Sequence, residues 1–150
     1  MIQTKEVLPV NFLYFRTETK VDQLVNFLPV GQQLIKEALR LNVWVTGPVH
    51  WHYFGFVDPN APFTLEVSIP VSAIPQEYDG DFHFKRTEPF KCVSIVHEGA
   101  WNDIPQSYGK LMQFIEEQKF QSSAINRELY INADFIHLEA NVTEIQMGIQ

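Results

Sequence analysis

Phe63-Thr64-Leu65-Glu66-Val67-Ser68-Ile69-Pro70-Val71 returns near the C-terminus as Val142-Thr143-Glu144-Ile145-Gln146-Met147-Gly148-Ile149. Each phrase closes a stretch that opens on a strand-like run and passes through a helical one, so the chain reads as one small module written twice. A module with one apolar face cannot bury that face alone. Two pseudo-symmetric copies can share a sheet and leave a ligand groove between them.

Working outward, copy one opens on Val10-Asn11-Phe12-Leu13-Tyr14-Phe15, and copy two opens on Lys91-Cys92-Val93-Ser94-Ile95-Val96. Helical patterns follow. Leu28-Pro29 ahead of Leu34, Ile35 and Leu39 matches Ile104-Pro105 ahead of Leu111 and Ile115. In the second helix Trp101, Ile104, Tyr108, Leu111 and Ile115 recur at steps of three and four, which stacks them on one face. Asn102 or Asp103 is the expected cap, and Pro105 fits a first turn, where its missing donor costs nothing. Two strands then close each copy: Val43 to Phe56 with Phe63 to Val71, and Asn126 to Asn132 with Val142 to Ile149. The expected fold is α+β, a tandem βαββ repeat with an antiparallel sheet, two helices on one side and a groove at the pseudo-twofold. Copy one spans about 5–72 and copy two about 82–150 within a single domain over 1–150, joined by a linker at 73–81 that contains Pro75 and Gly80.

Composition narrows the function. A chain of 150 residues that is 45% hydrophobic is long enough for one sizeable core. No apolar run reaches the length of a membrane span, and no basic start with an apolar stretch marks a signal peptide, so a cytoplasmic protein is expected. The net charge of −7, with 11 basic residues scattered among 18 acidic ones, argues against nucleic acid and favours cationic small molecules. One cysteine, Cys92, excludes an internal disulfide and any thiolate-rich metal site, and its apolar strand suggests an inert thiol.

Strand parity supplies the site candidates. In Arg127-Glu128-Leu129-Tyr130-Ile131 the side chains alternate, so Glu128 and Tyr130 share one face and Leu129 and Ile131 the other. If the helices cover the aliphatic face, Glu128 and Tyr130 look into the groove, where a carboxylate beside an aromatic ring suits a lipophilic cation. The pattern equally allows Glu128 as a solvated strand residue paired with Arg127 or a lysine. His50 and His52 share a strand face, a spacing that could begin a metal site, but His83, His97 and His137 are dispersed and no metal is expected. Trp51 and Tyr53, of the opposite parity, suit core or groove wall. Gly99 suits the turn before Trp101. Neither a nucleophilic triad nor a glycine-rich phosphate loop is present.

Gly47-Pro48, Glu66 to Val71, His97-Glu98-Gly99-Ala100-Trp101 before a helix carrying Tyr108, Glu128-Leu129-Tyr130, and the terminal Thr143 to Ile149 together resemble the GyrI-like small-molecule-binding domain over nearly the whole chain. That family includes effector-binding domains of multidrug-responsive transcription regulators and single-domain relatives. The resemblance implies a buried glutamate on the Glu-x-Tyr strand that receives cationic aromatic drugs. Glu128 matches it, with Tyr130, Trp101, Tyr108 and Tyr53 supplying apolar or π contact, and this favours the groove carboxylate over the solvated alternative. The chain lacks the length and basic residues for a DNA-binding domain, so a standalone binding or sequestering protein is expected, without a cofactor. A haem-binding family shares the tandem architecture, but no motif places any histidine for haem. Two other functions fit the resemblance. One is hydrolysis of strained alkylating natural products with Glu128 as general base; the other is inhibition of a protein such as gyrase through an acidic surface. Met147-Gly148-Ile149 departs from the family's apolar-Pro-apolar ending, which copy one keeps as Ile69-Pro70-Val71.

Overall fold

The repeated phrases become the inner strands of one continuous sheet. The computed structural model describes residues 1–150 as β1 (Gln3–Val7), β2 (Asn11–Thr19), α1 (Val30–Arg40), β3 (His50–Phe54), β4 (Phe63–Pro70), β5 (His83–Arg86), β6 (Phe90–Glu98), α2 (Ile104–Glu117), β7 (Ser122–Asn132) and β8 (Val142–Ile149). Short 3-10 turns precede both helices, at Val21–Phe27 and Trp101–Asp103, and a third, Leu138–Ala140, precedes β8.

All pairings are antiparallel, and the strand order is β1-β6-β8-β7-β3-β4-β2-β5. Exchanging β1 to β4 with β5 to β8 reverses this order onto itself, which puts the pseudo-twofold between β3 and β7. Each βαββ unit also has a leader strand, and the leaders cross over. β1 pairs with β6 of the second copy, and β5 pairs with β2 of the first.

Both helices lie on one face and bury it in two clusters. Val30, Leu34 and Ala38 of α1 pack on Leu13, Leu65, Val67 and Ile69, while Ile104, Leu111 and Ile115 of α2 pack on Val93, Ile95, Ile145 and Met147. Their i, i+4 and i, i+7 spacings form the apolar stripes expected of helices on a sheet. Leu39, expected in the first stripe, points to solvent at 66% exposure, because the stripe runs through Ala38 instead.

Two local expectations need correction. The strand expected from Val43 to Phe56 shortens to His50–Phe54, because Gly47-Pro48 interrupts it and leaves only an isolated Val45–Val71 bridge. Asp103 stands at the start of α2, but makes no side-chain cap bond. Its backbone is already helical, and its amide donates to the Ala100 carbonyl at 3.1 Å within the preceding 3-10 turn. Gly99 has φ +113°, a conformation that favours glycine at the turn out of β6. Cys92 is fully buried, and burial pushes its thiol up to about 11.

Candidate functional site

Helix–sheet packing decides which face of β7 carries the chemistry. Leu129 and Ile131 do not lie under the helices; Ile131 is 52% exposed on the opposite face. Glu128 pairs in register with Trp51 and Ile145, and Asn126 with Tyr53 and Met147, which places Glu128 and Tyr130 on the helix-covered side. The aliphatic pair therefore faces away, and the site lies between α2 and the sheet. Parity grouped the residues but could not tell which group the helices would cover.

Tyr108 sits one turn after Ile104 and one before Leu111, so the packing of α2 aims its phenol at the sheet. Its hydroxyl donates to Glu128 Oε2 at 2.6 Å, and the Tyr130 hydroxyl donates to Oε1 at 2.6 Å. Tyr53 is close enough to lower the carboxyl's proton affinity, although only Tyr108 and Tyr130 reach hydrogen-bond geometry. Trp51 stands opposite Glu128 and meets the Tyr130 ring edge-on at 6.1 Å; Trp101 meets Tyr130 at 6.3 Å and Phe135 at 5.1 Å. The other four expected site residues, Tyr53, Trp101, Tyr108 and Tyr130, thus gather around the Glu128 carboxylate. Trp51 joins them from the core-or-wall alternative, and its shared parity with Tyr53 was the sequence signal for it. Phe135, 65% exposed beside Trp101, carried no signal because it stands in an irregular loop.

Glu128 is only 7% exposed and forms no ion pair; Arg127, its sequence neighbour, points to the other face. Burial raises its proton affinity, and the tyrosine hydroxyls partly offset that rise. Burial and the neighbouring carboxylate also hold the phenols of Tyr53, Tyr108 and Tyr130 well above their usual range, so they stay protonated donors. The Trp101 indole nitrogen is buried without an acceptor. Nearby, His97 bridges the Ser107 hydroxyl at 2.8 Å and the Ala100 carbonyl at 2.9 Å. Since the carbonyl can only accept, Nε2 carries a proton in this contact. This bridge ties the start of α2 to β6. Surface hollows of about 480 and 400 Å³ lie elsewhere and are lined by none of these residues.

His50 and His52 occupy the helix-free face, with His50 Nδ1 3.1 Å from His52 Nε2. Burial holds His50 down at about 3 and His52 well below the ordinary histidine range. A histidine near 6.5 when unfolded and neutral when folded makes the unfolded state bind more protons between about pH 6.5 and pH 3, so stability falls as pH falls. The raised affinity of Glu128 acts with the opposite sign, one group against two. Urea unfolding at pH 7 and pH 5.5 is expected to show a stability lower by about 1 kcal/mol at pH 5.5 from His50 alone. A flat or rising profile would contradict a neutral buried pair.

The chain matches the GyrI-like small molecule binding domain over residues 1–150. Among curated proteins none matches it. Among solved structures, the EcmrR C-terminal domain is similar at TM-score 0.84 and 18% identity, covering 100% of this chain and 97% of that one. SAV2435 bound to tetraphenylphosphonium is similar at TM-score 0.66 and 12% identity, covering 100% and 94%. A hydrolase from Listeria innocua is similar at TM-score 0.64 and 16% identity, covering 99% and 91%. At these identities the likeness is one of fold. No helix is long and apolar enough to cross a membrane.

Proposed function

The chain belongs to the GyrI-like small molecule binding domain family, and from that premise we propose that it binds an amphipathic, cationic and aromatic compound at Glu128 and senses or sequesters it. The observation behind this is a nine-tenths-buried carboxylate in no ion pair, held by two tyrosine hydroxyls inside an aromatic shell. An uncompensated buried charge costs several kcal/mol, a penalty that a ligand cation offsets. The rings of Tyr53, Tyr108, Tyr130, Trp101 and Trp51 add apolar area and π-faces, which attract a desolvated cation by about 2 kcal/mol at a favourable face. Both carboxylate oxygens are already taken by phenols, so a ligand enters by parting Tyr108 and Trp101 from Tyr130. The chain acts in this reading as a binding protein, with no direct role for nucleic acid. Titration calorimetry with tetraphenylphosphonium is expected to give saturable one-to-one binding; no heat with any of a panel of lipophilic cations would sink the proposal.

A hydrolytic reading draws on one observation, the raised proton affinity of Glu128 beside three protonated phenols. Glu128 would then be the general base that orients water, and a tyrosine the proton donor, acting on a strained alkylating compound. Mass spectrometry of a cyclopropane-bearing alkylator incubated with the protein separates the two readings: unchanged substrate leaves binding alone.

A further inference from the structure

The helix-free face of the sheet holds a polar row that the cation site does not use. Register sets Arg16, Glu66, His52, Arg127, Gln146 and Ser94 side by side on β2, β4, β3, β7, β8 and β6. No helix packs there, yet Glu66, His52, Arg127, Gln146 and Ser94 are all more than nine-tenths buried. The twisted sheet coils around this face and makes a trough of it.

The charges in the trough are unevenly matched. Glu66 is held by Arg16 at 2.7 Å and by Lys85. Glu144, two residues before Gln146, accepts from Lys5 at 2.6 Å, Gln146 Nε2 at 2.7 Å and Ser94 Oγ at 2.9 Å. Arg127, 7% exposed, forms no ion pair, and its Nε–H is buried without an acceptor. Directly across the strand pair, the Oε1 atom of Gln146 is buried without a donor. The Arg127 guanidinium carbon lies 3.9 Å from the centroid of the Phe90 ring. Residue 148 makes this stacking possible, because a Cβ there would stand 2.9 Å from Phe90 Cε1 and 2.7 Å from the Ile125 carbonyl. The glycine that departs from the apolar-Pro-apolar ending is what lets Phe90 reach over Arg127.

We propose that this trough is a second ligand site, on the face opposite Glu128, for the carboxylate group of a small organic acid, with Arg127 as its anchor. Stacking on Phe90 fixes the guanidinium plane and leaves its edge to meet the two oxygens of a carboxylate in a fork. Arg127 is the cation of the trough that has no carboxylate in contact. His50 and His52 beside it are held neutral by burial, so the positive charge next to the proposed carboxylate is that of Arg127. Glu128 and Arg127, adjacent in sequence, are thus oppositely charged, both buried and both unpaired, and each serves its own face of the sheet.

By NMR of the full chain, the test follows the Arg127 Nε–H resonance in the parent and the backbone amides of His52 and Gln146, which flank residue 127, in parent and variants as sodium benzoate is added, with sodium chloride at matched ionic strength as reference and inorganic phosphate as a second arm. The expected result is a saturable shift with benzoate, weakened at least about tenfold in Arg127→Lys, whose ammonium cannot form the fork. Arg127→Gln loses the benzoate response and keeps the parent's response to a lipophilic cation, so failure at this site is distinct from failure at Glu128. A non-saturating shift equal to that with chloride would mean that only water joins Arg127 to Gln146, and it would overturn the proposal. Tighter binding of phosphate than of benzoate would overturn the carboxylate assignment. The resonance is read in the parent protein, so the outcome does not depend on the variants folding.

Discussion

Glu128→Gln abolishes most of the stabilisation that a lipophilic cation confers, while the free protein keeps its stability or gains some. A ligand at a hundredfold its dissociation constant stabilises the folded state by about 2.7 kcal/mol. For a chain of this length that corresponds to a rise in Tm of about 5–10 °C, at roughly 2–4 °C per kcal/mol. Glutamine keeps the shape of the side chain and one carbonyl acceptor for Tyr108 or Tyr130, so the shell of Trp51, Tyr53 and Trp101 stays packed. It removes the charge. The free variant then no longer bears a buried, cation-free carboxylate, and replacing such a group is often neutral or stabilising. The ligand loses its counter-charge and keeps only aromatic contact, of about 0.5–1 kcal/mol per exposed cation–π pair and more where desolvated. Thermal-shift curves on parent and variant with the same cation read both quantities. An equal shift in the two would remove Glu128 from the site and leave the aromatic shell alone as the binding feature.

Much of this site was legible in the chain, and what was not has a physical cause. The repeated closing phrase marked β4 and β8 because an inner strand of a doubled module must present the same apolar face in each copy, and Val142–Ile149 is read to the residue. Glu128, Tyr130, Tyr108, Tyr53 and Trp101 were legible as a set. Which side of the sheet they occupy was not, because parity fixes relative faces and only the packing of α1 and α2 fixes which face is covered. The aliphatic look of Leu129 and Ile131 misled, since Ile131 stands near the end of β7, half-exposed on the face that no helix covers. The crossed leader strands were also invisible: Gln3–Val7 and His83–Arg86 are short and polar, and their pairing with the opposite copy depends on the symmetry of the whole sheet. The fully buried Glu66 reads from sequence as an ordinary polar strand residue; its burial depends on Arg16 and on Lys85, which arrives from the other copy's leader strand.

Leu111→Ala is expected to destabilise the protein by about 3 kcal/mol, within the usual range for a leucine truncated in a well-packed core. Leu111 is fully buried in the smaller of two apolar clusters, eight residues around α2 against twelve around α1. The clusters meet through the sheet, where β3 pairs with β7, and through the contact of Trp101 with Tyr130. A cavity under α2 therefore weakens the element that carries Tyr108, the element that yields to a ligand at Glu128 in the proposed reading. Local opening draws on the least stable contacts first. Amide hydrogen exchange in the variant should accelerate in α2, β6 and β8 at denaturant concentrations where α1, β2 and β4 remain protected. Uniform acceleration across both copies would mean that the shared sheet couples the clusters into one cooperative unit. In that case α2 could not lift by itself, and a cation would reach Glu128 only through movement of the Trp101 turn and the Phe135 loop.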